Sequence, residues 1–280
     1  MQMSEFHPFK NMDLPDLSDV QFNRDSAVIM VPVLLIMLAE LLLFAEMDYL
    51  SICIHVALLL GLPLASIHFS KKEVTMAFQA LMLLPLLRLV NISMPIFFDT
   101  TLYVFIFIYA PLIIPVYLVA KDQDITLSLR GFRDVNRMWL VYIFLAILVA
   151  ILIAQGEYAI LASSYLISDL SFISLLKISL VMVIFVGFVE ELIFRFILQT
   201  RLADTFGTWP GLIITSLLFG VMHSGYGAPL EVFMTAFAGL ILGYMFLRTK
   251  SISFVSLTHG FVNVFLFGVI PHLGPGLGLF

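Results

Sequence analysis

Nine apolar runs, at residues 27–45, 50–69, 74–95, 101–119, 138–155, 173–200, 209–223, 230–247 and 253–270, follow one another with only short polar stretches between most of them. A bilayer's hydrocarbon core takes about 20 apolar residues of helix, and inside it each segment must satisfy its own backbone hydrogen bonds. The expected fold is therefore all-α: a polytopic integral membrane helical bundle of eight or nine transmembrane helices. The seventh run is short for a full span, so it is expected to start in the interface or to be buried by its neighbours. A composition 61% hydrophobic and 12% charged agrees with this class.

The basic residues set an orientation. Lys10, Arg24, Lys71, Lys72, Lys121, Arg130, Arg133, Arg137, Arg201, Arg248 and Lys250 all fall in alternate connections, and the other loops carry none. By the positive-inside rule the N-terminus is expected in the cytoplasm of a multi-pass cell-membrane protein, with the C-terminus outside. Four regions are expected: a polar cytoplasmic head at 1–26, four spans at 27–119, an amphipathic cytoplasmic linker at 120–137, and a C-terminal group at 138–280. A net charge of −5 without a basic tract argues against a nucleic-acid partner. The single cysteine, Cys53, excludes an internal disulfide and is expected to pack within a span.

Ionisable residues inside a span cost several kcal/mol each and mark functional sites by default. Glu190, Glu191 and Arg195 fall together in the sixth run. Glu191 and Arg195 are four apart, acid first, which suits an ion pair on one helix face, whereas Glu190 sits about 100° around the helix. Glu190 is thus the acid left for chemistry; the structural alternative is an ion network between helices. Glu40 and Arg88, each isolated in its own span, read as packing or interfacial residues.

Two further spans pair side chains at i and i+4, hence on one helix face: Phe219 with His223, and His259 with Asn263. Glu190 and His223 together suit the holding and deprotonation of a water. His259 and Asn263 suit hydrogen bonding to an oxyanion. Glu191 and Arg195 would hold the helix that bears Glu190. One point sits awkwardly: Glu190 and His259 fall roughly 9–17 Å from the cytosolic ends of their spans, but His223 about 20 Å from the start of its own. The His-Ser-Gly at 223–225 reads as a turn.

Glu190-Glu191-x-x-x-Arg195, Phe219-x-x-x-His223 and His259-x-x-x-Asn263, in that order on successive helices, resemble the three motifs of the CPBP family. That family comprises CAAX prenyl endopeptidases of the Ras-converting type and bacteriocin-processing or self-immunity proteins. The resemblance covers about residues 175–270 and implies a helical core with a conical cavity, cleaving membrane-associated peptides or prenylated proteins near the membrane surface. It assigns water activation to Glu190 and His223, oxyanion stabilisation to His259 and Asn263, and support to Glu191, Arg195 and Phe219. The family name often includes "metalloprotease", and Glu190, His223 and His259 would be the zinc ligands. A third strong protein ligand beside the histidines is lacking, because Glu191 is better explained by Arg195, so no cofactor is the favoured expectation. The competing functions are a transporter or ion relay, and a catalytically silent immunity or scaffold protein of the same fold.

Overall fold

The computed structural model describes residues 23–69, 71–97, 101–125, 139–274 and 277. Most of the expected head (residues 1–22) and of the expected amphipathic linker (residues 126–137) lies outside these. The described residues are helical and contain no strand: α1 Arg24–Phe44, α2 Asp48–Ser66, α3 Lys72–Phe97, α4 Val104–Asp122, α5 Trp139–Leu161, α6 Phe172–Phe206, α7 Thr208–Val221, α8 Pro229–Thr249 and α9 Ile252–Leu273. Eight of them are long and apolar enough to cross a membrane. The exception is α7. Its 14 residues extend about 21 Å, some two thirds of a hydrocarbon core.

Local chemistry marks the helix starts. Asn23 caps α1 in a reciprocal capping box with Ser26, Ser171 and Ser251 cap α6 and α9 through their hydroxyls, and Pro229 opens α8. Between α6 and α7 the chain reverses in one residue, Gly207, at φ 96°, a conformation that disfavours any side chain.

The long α6 packs against α3, α4, α7 and α9; α7 and α8 pack closely together, and α5 lies against α8 and α9. The apolar core is continuous across the two groups of spans. Side chains such as Leu152 and Phe233 point outward, 65% and 73% exposed, as an apolar surface facing lipid requires. Cys53 also lies on this outer face and not within the packing as expected. Together the apolar spans and their exposed faces make this a multi-pass membrane protein.

Candidate active site

Two features of α6 place the acidic pair. Widened π-turns at Val181–Gly187 and Leu192–Gln199 flank the short α-helical stretch Phe188–Glu191, a distortion common near functional sites. Gly187 and Gly260 meet where α6 crosses α9. A Cβ on Gly187 would lie 2.7 Å from the Ser256 carbonyl oxygen, and one on Gly260 would lie 2.5 Å from Val183 Cα. Only backbones stripped of side chains approach so closely, and this crossing brings both glutamates against His259.

His259 is gripped from both sides. Its Nδ1 donates to Glu191 Oε1 at 2.8 Å, and its Nε2 stands 3.7 Å from Glu190 Oε2. Glu191 turns its other oxygen to Arg195, 3.2 Å from Nε, so the expected i,i+4 pair forms. Glu191 therefore orients His259 as well as pairing with Arg195, a role beyond the one expected of it. The Arg195 guanidinium is fully buried and its nitrogens make no hydrogen bond among the described residues. It lies over the ring of Phe219, 4.7 Å from the centroid, where the ring's electron-rich face partly offsets the charge.

Phe219 ties the site together. Its ring meets Phe194 edge-on at 5.0 Å, His259 edge-on at 5.6 Å and His223 at 4.9 Å. Its carbonyl accepts a hydrogen bond from His223 Nδ1 at 2.8 Å. Because a carbonyl only accepts, Nδ1 carries the proton and Nε2 is left as an acceptor. His223 itself follows the short α7, in a turn whose neighbours Met222 and Ser224 are buried. The depth that seemed awkward follows from that: the helix stops inside the bundle.

His223, His259 and Asn263 line one cavity together with Phe219 and Glu157. Its volume is about 20 Å³, room for one water molecule. The structure thus brings His223, His259 and Asn263 to one cavity, while Glu190 meets His259 from the α6 side and is not among the residues of the cavity wall. Tyr109, on α4, donates its hydroxyl hydrogen to Glu190 Oε1, and Oε2 has no hydrogen-bond partner among the described residues.

Glu40 and Arg88, expected to be isolated, are a buried pair. Arg88 makes two bonds to Glu40, 2.7 Å from Nε and 2.6 Å from Nη2. Arg88 also donates to the Met222 carbonyl, and Ser224 Oγ donates to Glu40 Oε2 at 2.8 Å. His55 Nε2 stands 3.2 Å from Glu40 Oε1. The residues on either side of His223 are thereby fastened to α1 and α3. Polar chemistry is not confined to the C-terminal group.

Sequence reasoning missed Glu157 and Tyr109. Ending the fifth span at 155 put Glu157 in a loop, whereas α5 continues to Leu161. A carboxylate in the last turn of an apolar helix was the available signal. Nothing in the sequence distinguishes Tyr109 from other tyrosines in spans.

Among the described residues no three His, Cys, Asp or Glu side chains are grouped to hold a metal ion.

Residues 172–265 match the family model described as type II CAAX prenyl endopeptidase Rce1-like. Over this segment, about a third of the chain, the protein is similar to the Rce1-like CAAX proteases. The match contains all seven residues singled out from the motifs, and it leaves α1–α5 uncovered. No curated protein and no solved structure matches the chain.

Proposed function

We propose that this Rce1-like protein is an active intramembrane endopeptidase that hydrolyses a peptide bond of a membrane-associated, prenylated substrate by a metal-free water attack. The observation that carries the reading is His259 clasped between Glu190 and Glu191 on the edge of a water-sized cavity that it shares with His223 and Asn263. The 3.7 Å separation of Glu190 from His259 is too long for a direct hydrogen bond and is of the width at which a bridging water is to be considered.

Glu190 Oε2 and His223 Nε2 are both acceptors. A water donating to both would be held with its oxygen lone pair toward the scissile carbonyl, and Glu190 takes the proton as the C–O bond forms. Glu191 holds the Nδ1–H of His259, and Nε2, which makes no direct hydrogen bond to Glu190, carries the proton of the imidazolium toward the cavity. That Nε2–H, with the Asn263 amide, donates to the oxyanion. The Glu191–Arg195 pair and Phe219 hold the His259 ring. The orientation that fits the basic-residue asymmetry places the N-terminus in the cytoplasm of the cell membrane.

The test is purified protein against a panel of lipidated and unlipidated peptides. Wild type should cleave a lipidated member, and Glu190→Gln should lower turnover by about 10³-fold, within the range for losing a general base, while eluting as the same folded species. Equal turnover by wild type and Glu190→Gln would remove Glu190 from the chemistry. Wild type inert on the whole panel would favour a silent member of the fold.

A further inference from the structure

Of the motif residues, His223 alone lies past the end of its helix, because α7 stops at Val221. Within a helix the backbone ladder fixes where a side chain stands; beyond the last turn other contacts must do so, and the final carbonyls have no partner in the helix. The Met222 carbonyl is such a group. Arg88, from α3, donates to it and places a cation at the C-terminal end of α7, where the helix dipole favours one. On the other side of His223, Ser224 is 2% exposed and its Oγ donates to Glu40 Oε2, from α1, at 2.8 Å. Arg88 also lies close beneath the next residue, since a Cβ on Gly225 would stand 3.7 Å from its Nη1.

A pair that only clamped α1 to α3 would be complete with the two bonds between Arg88 and Glu40. A guanidinium has further donors and a carboxylate further lone pairs, and here the additional bonds go to Met222 and Ser224, the two neighbours of His223. The ring's own bond, from Nδ1 to the Phe219 carbonyl at 2.8 Å, sets which nitrogen carries the proton. It does not hold the turn against the rest of the bundle.

We propose that Ser224 is a positioning residue for His223: through its hydroxyl, and through the Met222 carbonyl, the buried Glu40–Arg88 pair sets the ring that holds the attacking water. The role rests on the protease reading above, in which His223 Nε2 accepts from the water beside Glu190. It gives α1 and α3, which lie outside the family match, a part in turnover. Ser224 acts through the backbone it shares with His223. A displacement of about 1 Å at a reacting group can cost about 10²-fold in rate, so a loosened turn is costly without any change in the residues that meet substrate.

The experiment uses the purified full chain and two readouts: kcat and KM on a lipidated peptide that wild type cleaves, and nitrogen NMR of ¹⁵N-histidine protein, with the His223 signals assigned by their loss in His223→Gln. Wild type with a neutral ring should show His223 as the single Nδ1–H tautomer. Ser224→Ala should unfold close to the wild-type temperature, lower kcat at least about tenfold with KM little changed, and shift the His223 signals toward an average of both tautomers. Ser224→Thr, which keeps the hydroxyl, should retain the single tautomer and most of kcat. Glu40→Met/Arg88→Met removes both tethers without stranding a charge, and should move both readouts at least as far as Ser224→Ala. If either readout stays at its wild-type value in Ser224→Ala and in the double variant, or if Ser224→Thr behaves as Ser224→Ala does, the positioning role is overturned and the protease reading stands. A wild type that cleaves nothing fails the protease reading instead, and the His223 signals then decide by themselves whether the tether sets the ring.

Discussion

Each half of the molecule buries a glutamate–arginine pair, and the two are built differently. Glu40 and Arg88 join α1 to α3 through two short hydrogen bonds, and Ser224 and the Met222 carbonyl use capacity that remains. Glu191 and Arg195 sit on one helix with a single contact of 3.2 Å, and the remaining guanidinium nitrogens are left against the Phe219 ring. A saturated bidentate pair fixes two helices in register. The looser pair leaves Glu191 an oxygen for His259. The first is a fastener, and the second supports His259, to which the proposed reaction gives the oxyanion.

The comparison breaks most readily at Arg88. Arg88→Met strands the Glu40 carboxylate and should cost about 3–5 kcal/mol of stability, read as a fall in thermal unfolding temperature in detergent, while the Glu40→Met/Arg88→Met double variant recovers most of it. Arg195→Met should destabilise less, because Glu191 keeps His259 as partner, but should depress turnover more than the Glu40/Arg88 double variant does. If the two single variants lose equal stability and equal activity, the distinction between fastener and support fails.

A smaller effect sharpens the link between the halves. Tyr109→Phe removes the hydrogen bond that α4 supplies to Glu190. An unmade bond to a charged buried group is worth about 1–3 kcal/mol, so turnover should fall roughly tenfold or more with KM little changed. A rise in KM at constant turnover would place Tyr109 in substrate binding instead. The smallest expected effect is none: a strong chelator should leave turnover unchanged, and purified protein should carry no stoichiometric zinc. Stoichiometric zinc lost together with activity on His259→Ala would make the under-paired half a metal site.

The site was legible in the sequence where its geometry is local. Glu191 with Arg195, Phe219 with His223 and His259 with Asn263 are each one helical turn apart, and a 3.6-residue period fixes such neighbours before any helix packs. Glu157 was lost for another reason, since span ends read from hydropathy are uncertain by a few residues and the fifth helix runs past the assigned end.

What the sequence by itself determined is therefore the helical membrane architecture, the i,i+4 pairing of Glu191 with Arg195, and the three helix turns that carry the motif side chains. Nine apolar runs leave few other folds, because lipid offers the backbone no hydrogen bonds. Which face meets which was decided only in the tertiary structure. The Gly187–Gly260 crossing sets Glu191 against His259, the early stop of α7 leaves His223 inside the bundle, and α1, α3 and α4 reach the site through Glu40, Arg88 and Tyr109. These contacts join residues tens to more than a hundred positions apart. A hydropathy period records that a face is polar or apolar, but not which distant face packing will bring against it.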